Sequence, residues 1–449
     1  MTDQPVVKYA SRTDVGMRRA VNQDSVAVRL CSDLKEWAAQ GHLFVVADGM
    51  GGHSVGDLAS RITTDTLPEA YSGLKTVDLM ERMRSAVLAA NQAVHDRGQQ
   101  NPEYSDMGTT CSALSLSPRG LIIGHIGDSR IYRVRHGLIE QLTFDHSLQW
   151  EMIKIGRATS ATVDLFHPRN VITRCVGPDP NVQVDLEGPF SVQQGDRYVL
   201  CSDGLSNHVS DQEIGQIVSS LDTNDASRLL VNLANCRGGS DNSTVIVISV
   251  ENYPAISGPT VDRTIGFQDS DTLVPMSVRQ TRSWKTPVFF VLELFCLIAA
   301  VVVYVAQRSF LVSGLLIAAM SVLEVLRRIQ SRSGLPPSSH ESDSEEGFTL
   351  EAGLERREGG PVEIANASPY RFTTAVINDV LLDQLSEIQG ELVQAARDSG
   401  WSVDFDELTQ LSRSSVASQQ AGKLDKALES RARSIDLLMN ELYARARAS

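Results

Sequence analysis

The chain lacks the nitrogen and sulfur patterns of a zinc-type site. Neither His-x-x-x-His nor Cys-x-x-Cys occurs in its 449 residues, and there is no zinc-finger spacing and no Walker-type phosphate loop. Cysteine is scarce. Cys31, Cys111, Cys175, Cys201, Cys236 and Cys296 are scattered without a pairing pattern, which argues against disulfides and for a reducing compartment. The same scatter leaves no constellation for a nucleophilic cysteine, and Cys201 sits inside an apolar run where a small apolar residue is expected. Positive charge is in deficit, with 41 Lys and Arg against 55 Asp and Glu and a net charge of -14. This argues against nonspecific nucleic-acid binding through a basic surface. Residues 1–29 are polar and show no signal-peptide pattern.

What the chain does have is short apolar runs that stop on an aspartate beside a glycine. Leu43 to Ala47 leads into Asp48-Gly49, Tyr198 to Ser202 into Asp203-Gly204, and Leu121 to Ile126 into Gly127-Asp128. Asp241-Asn242 lies just before a fourth run, Val245 to Ile248. Such runs read as buried strands. A single Asp-Gly is an ordinary turn. Four acidic strand ends gathered at one edge of a sheet are different, because like charges that close cannot all stay ionised without cations among them. An all-oxygen donor set favours Mg²⁺ or Mn²⁺ over Zn²⁺, and several carboxylates with one able to bridge suit a two-metal hydrolase.

The ordered set of motifs from about residue 8 to 250 resembles the bacterial form of the PPM (type 2C) metal-dependent serine/threonine protein phosphatases. The resemblance rests on Gly16 to Ser25, Ala47 to His53, Met107 to Thr110 and Gly127 to Arg130. It continues through Leu142 to Ser147, Val171 to Arg174, Cys201 to Leu205 and Asp241 to Thr244. It implies an α+β fold, a four-layer α/β/β/α sandwich with two central antiparallel sheets and metals at one end of them.

The resemblance also implies roles. Asp48 would bridge two Mn²⁺ or Mg²⁺ ions with the Gly49 carbonyl completing one of them, and Asp203 and Asp241 would hold the second. Asp128 would hold a weaker third ion, shared with Asp203. Asp24 and Asn242 fall in the shell behind the ligands. Arg19 matches the arginine that grips the substrate phosphate, which suits a planar guanidinium donating two parallel hydrogen bonds; Arg18 beside it reads as a solvated surface residue. A hydroxide bridging the metals would attack phosphorus in line, with no phosphoenzyme. The chain departs from the family pattern at Gln23, where a glutamate is common, and at Met50, where animal members carry a histidine. His53 is a candidate general acid, with a surface or helix-start histidine as the plainer reading. Ser147 to Ile155 is helix-compatible and leads into a loop-like flap beside the site, where Arg157 and Arg169 could meet acidic phosphopeptides.

The expected organisation is a phosphatase domain at 1–252 and a linker at 253–286 in which Thr260, Thr264 and Thr272 lie beside acidic residues. Two transmembrane helices at 287–326, a disordered tether at 327–372 and a helical module at 373–449 would follow. Val288 to Ala306 and Phe310 to Leu326 would span about 28 and 25 Å as helices, separated only by Gln307-Arg308-Ser309. Arg279, Arg282 and Lys285 before them, and Arg327, Arg328 and Arg332 after them, put both soluble parts in the cytoplasm of a multi-pass cell-membrane protein. Glu293 would face a partner helix, another subunit or the interface rather than lipid.

Beyond Ala375, Leu381, Leu385, Ile388 and Leu392 form one apolar stripe, interrupted by Gly390 and ended by Gly400. Leu424, Leu428, Ile435, Leu438 and Leu442 form another, in a segment with a faint likeness to one tetratricopeptide unit. A small bundle serving self-association or protein recruitment is the expectation. The expected activity is hydrolysis of phosphoserine and phosphothreonine on cytoplasmic proteins, opposing a Ser/Thr kinase. The alternative is a membrane scaffold that binds phosphoproteins without turnover, from which retention of Asp48, Asp128, Asp203, Asp241 and Arg19 points away.

Overall fold

A computed structural model describes residues 6–51, 55–74, 78–158, 168, 171–253 and 372–448, and chain contacts group all of them into one compact unit. The expected linker, the two apolar stretches, most of the tether, His53 and Arg169 lie outside the described residues. Among the described residues, no helix is long and apolar enough to cross a membrane.

Two antiparallel sheets form the centre. The first runs in the order β1 (Val6–Asp14), β11 (Ser243–Asn252), β10 (Arg197–Cys201), β7 (Arg130–Arg135), β8 (Leu138–Gln141) and β12 (Phe372–Thr374). The second runs β2 (Asp24–Arg29), β3 (His42–Met50), β5 (Cys111–Ser117), β6 (Gly120–Ile126) and β9 (Asp185–Phe190), with β4 (Gly108–Thr109) on the end of β3. The four apolar runs are β3, β6, β10 and β11. They read as continuous rather than alternating because both faces of each are covered. Phe44 and Val46 of β3 face Tyr198 and Leu200 of β10 and Ile246 and Ile248 of β11 across the space between the sheets. Their neighbours Leu43 and Val45 face the other way, onto α2 (Val55–Gly73) and α3 (Leu79–Gln99). Val199, Val245 and Val247 likewise turn outward to α6 (Asp211–Ser220) and α7 (Thr223–Cys236). The period-two alternation of a strand thus builds the expected four layers. Three shorter helices complete this part: α1 (Leu34–Gln40), α4 (Leu148–Lys154) and α5 (Asp203–Ser206). α4 begins where expected, capped by the Ser147 hydroxyl.

The C-terminal residues add a further layer. Phe372–Thr374, where a tether was expected to run into a helical module, pairs with Glu140, Ile139 and Leu138 of β8. An edge strand offers unpaired N–H and C=O groups to any extended segment. Three helices follow, α8 (Asp379–Asp398), α9 (Phe405–Gln420) and α10 (Leu424–Ala448). α8 runs through Gly390 without a break, a correction to the expected interruption; open space surrounds the Gly390 Cα, and one glycine costs a helix only about 1 kcal/mol. Leu381, Leu382 and Leu385 of α8 and Leu428, Ile435 and Met439 of α10 are buried in the same apolar cluster as Ile214, Ile217 and Leu230 of α6 and α7.

Because that core is shared, Ile435→Ala should destabilise the whole unit by roughly 2–5 kcal/mol, lowering one cooperative thermal transition by several °C. Calorimetry that instead split off a separate C-terminal transition would show the helices to be an independent domain.

Candidate functional site

The strand ends place the acidic residues together, but from two sheets rather than one edge. Asp48 lies near the end of β3 and stands opposite Asp24 at the start of β2, and Asp128 follows β6. Asp203 and Asp241 come from the facing sheet, just after β10 and just before β11. The correction has a simple cause: the apolar runs are alike in sequence, and which sheet each joins depends on pairings between distant segments.

Close backbone approach fixes the segments that carry Asp48 and Asp203. A Cβ on Gly204 would fall 1.9 Å from the Asn242 carbonyl oxygen, and one on Gly49 would fall 2.0 Å from that of Gly56. Both positions therefore exclude any side chain. The Asp48 backbone is fixed on both sides, donating to Thr110 Oγ1 at 2.9 Å and accepting from the Thr110 amide at 2.8 Å. Gly127, at φ +109°, donates to His146 Nδ1 at 3.0 Å, and its carbonyl accepts from the His146 amide at 2.7 Å. That pair of bonds seats the turn carrying Asp128. Arg130, next but one, holds Asp145 with two guanidinium nitrogens, the shorter contact being 2.6 Å.

Asp24 and Asp128 are buried, and Oδ1 of each has no hydrogen-bond partner. Asp24 Oδ2 accepts from the Ser202 hydroxyl at 2.8 Å. Loss of bulk water pushes the Asp24 carboxyl up to about 7, with Asp203 and Asp241 adding repulsion. Asp128 rises to about 8 through burial, then Asp203 and Asp145, against the opposing pull of Arg130. Asp48 is lifted well above the carboxylate range by desolvation and by Asp24, Asp203, Asp128 and Asp241. Asp203 is raised by desolvation and Asp241, while bonding to Asp48 and Asn207 pulls it back. Neighbouring carboxylates that hold protons near neutrality are a site short of positive charge.

Arg19 lies at the mouth and donates to Asp241 Oδ2 at 2.8 Å, with its side chain 48 % exposed. Its loop is pinned by one side chain. Asn242 donates through Nδ2 to the carbonyls of Val15 and Val21 at 2.9 and 3.0 Å, and its Oδ1 accepts from the Gln23 amide at 2.8 Å. The Gln23 carbonyl in turn accepts from the Gly49 amide and the Ser60 hydroxyl. Thr110, Ser202 and His146 lie inside the matching motifs yet carried no assigned role in the sequence, and Ser60 lies outside them. Arg157 is exposed on the flap segment.

The donor set fits a hard cation: all oxygen, with two buried oxygens lacking a partner. Among the described residues, no group of three or more His, Cys, Asp or Glu side chains stands at ligand geometry. Asp241 is turned onto Arg19 and Asp24 onto Ser202, so the carboxylates converge without closing on one point.

Comparison with known proteins gives the following. The protein phosphatase 2C family pattern matches residues 17–233. The serine/threonine protein phosphatase PstP of Mycobacterium tuberculosis is 34% identical over 249 residues, 55% of this chain and 46% of PstP. This chain thus spans about half the length of that relative. Protein phosphatase PhpP of Streptococcus pneumoniae is 36% identical over 247 residues, 54% of this chain and 97% of PhpP. A crystal structure of the PstP catalytic domain in complex with two manganese ions is 33% identical and covers 56% of this chain and 100% of its own, at a TM-score of 0.48.

The raised carboxyls set a pH dependence. Each folded pKa exceeds the unfolded value near 4, so the native state binds more protons and stability falls as pH rises through the folded values. Below about pH 6.5 the buried neutral His42 and His125, each lowered to about 4, act in the opposite sense. The aspartate effect is therefore isolated from about pH 6.5 to 8. Without divalent cations the thermal midpoint should fall by several °C across that window, and Asp48→Asn should raise it at pH 8. Saturating Mn²⁺ should restore the wild type at pH 8 and not the variant. A wild-type midpoint that climbs from pH 6.5 to 8 in chelator contradicts this account.

Proposed function

Because the chain belongs to the protein phosphatase 2C family, we propose that it hydrolyses phosphoserine and phosphothreonine on proteins, using Mn²⁺ or Mg²⁺ held where the two sheets meet. The observation that carries this reading is the convergence of Asp48, Asp128 and Asp203, whose carboxyls are held above their ordinary range, with Asp241 beneath a half-exposed arginine. Asp48, the Gly49 carbonyl, Asp203 and Asp241 would hold two ions, and Asp128 with Asp203 a third. Bound divalent cations lower the pKa of water and neutralise phosphoryl charge. The chain's own groups do the rest. Asp48, Asp128 and Asp203 would hold such cations as carboxylates, without their protons. Arg19, now paired with Asp241, exchanges that partner for a substrate phosphate and offers two parallel donors to its oxygens. Asp24, whose Oδ2 is held by Ser202, would keep Oδ1 as an acceptor for water. His53, three residues beyond Met50, is a candidate proton donor to the leaving alkoxide.

The substrates under this reading are cytoplasmic phosphoproteins, and the activity opposes a Ser/Thr kinase. The apolar stretches at 287–326, with arginine and lysine before them and arginine after them, support a membrane hairpin that leaves both soluble parts in the cytoplasm. The C-terminal helices offer a surface for self-association or recruitment.

Phosphate release from a phosphothreonine peptide should require Mn²⁺ or Mg²⁺. Asp203→Asn should lower kcat/KM by roughly 100-fold or more, and Arg19→Ala by about 10- to 100-fold, the value of a charge-assisted pair. Metal-independent turnover, or full activity in Asp203→Asn, would sink the reading. Reporter fusions after residues 252, 308 and 375 should place only the middle one outside the cytoplasm.

A further inference from the structure

The loop that carries Arg19 is tied to the C-terminal helix through two buried asparagines and the partly buried Asp14 and Tyr443. Tyr443 of α10 accepts from Asn235 Nδ2 at 2.9 Å and donates to Asn232 Oδ1 at 2.9 Å. Both asparagines are on α7 and are buried. The Asn235 amide nitrogen also donates to Asp14 Oδ1 at 2.9 Å, and the same oxygen accepts from the Gly16 amide at 2.9 Å. One primary amide thus spends its two hydrogens on α10 and on the end of β1. The turn that begins at Asp14 is pressed against the Asp241 segment. A Cβ on Gly16, at φ +81°, would fall 2.3 Å from the Asp241 carbonyl oxygen, and the Met17 amide donates to the Gly239 carbonyl at 2.8 Å. Arg19 follows two residues later. About two turns away on α10, Asp436 accepts from Arg228 and Asn232 of α7 at 3.2 and 3.3 Å, which fixes the rotation of the helix about its own axis.

We propose that Tyr443 is a positioning residue for Arg19: α10, docked on α7, holds the phosphate-gripping loop in register through Asn235 and Asp14. The physical basis is the amide's lack of alternatives. A buried Asn235 that loses its acceptor on Tyr443 keeps a donor without a partner and turns to find one, and Asp14 then loses one of the two donors that seat the turn. The Asn242 bonds remain, so the loop loosens rather than unfolds. The catalytic residues are all in the first 252 residues, yet the grip on substrate depends on the last 25. The proposal rests on the reading of Arg19 as the phosphate-binding residue, and its mechanical part can be measured without turnover.

The test uses the full chain in three forms: wild type, Tyr443→Phe and Ser434→Ala. Ser434 is buried in α10, where it accepts from Gln389 of α8 at 2.5 Å, and serves as a control for general loosening of the helices. Hydrogen exchange of segment 14–24 should quicken about 3- to 10-fold in Tyr443→Phe and stay unchanged in Ser434→Ala. KM for a phosphothreonine peptide should rise about 3- to 10-fold in Tyr443→Phe with kcat within about twofold. In an Arg19→Ala background the same change should add nothing to KM. Unchanged exchange in segment 14–24 overturns the link, as does a KM effect that persists at full size without Arg19. Quickened exchange in a chain with no turnover at all upholds the link and removes the phosphatase reading instead.

Discussion

Burying four carboxylates within reach of one another is the constraint on which the rest of this structure depends. Loss of bulk water lifts the carboxyls of Asp24, Asp48, Asp128 and Asp203 above their ordinary range, and repulsion among neighbouring carboxylates adds to it. A flexible scaffold would relieve that repulsion by moving apart. This one resists because each aspartate is attached to a strand whose two faces are both packed, and because the segments bearing them touch backbone to backbone. Gly204 against Asn242, Gly49 against Gly56 and Gly16 against Asp241 leave no room for a Cβ. The repulsion is thereby stored as affinity for divalent cations.

Primary amides, rather than charges, organise the rim. Asn242 ties together three points of the loop that runs from Val15 to Gln23, and Asn235 joins that loop's origin to α10. An amide can donate and accept at once without adding charge to an already crowded site. Arg19 is the exception, and it sits at the surface where its own desolvation is small. Its contact with Asp241 keeps the guanidinium beside the acidic cluster.

The C-terminal layer answers two problems in the first sheet. β8 would otherwise present an open edge, which β12 covers. The outward side of α6 and α7 would otherwise expose apolar surface, which α8 and α10 bury. Matches to the streptococcal relative take in nearly all of that protein and only 54% of this chain, so this layer is an addition to what the two share. Its consequence is that the elements behind the loop of Arg19 come from both ends of the chain.

Much of the site was legible in the residues alone. The apolar runs of β3, β6, β10 and β11 stand out because strands buried on both faces have no alternation to obscure them, and the aspartates stand out because they end those runs. The oxygen-only donor set pointed to Mg²⁺ or Mn²⁺ for reasons of ligand chemistry that need no coordinates. What composition and periodicity left undetermined was everything set by contacts between distant segments: that two aspartates come from each of two sheets, that Phe372–Thr374 is an edge strand, that α8 passes through Gly390, and that Tyr443 meets Asn235. Local pattern determines which residues can be buried or ionised, since those are properties of side chain and spacing. Only tertiary structure decides which buried groups face each other, because that depends on pairings hundreds of residues apart whose free energy no short window of sequence contains.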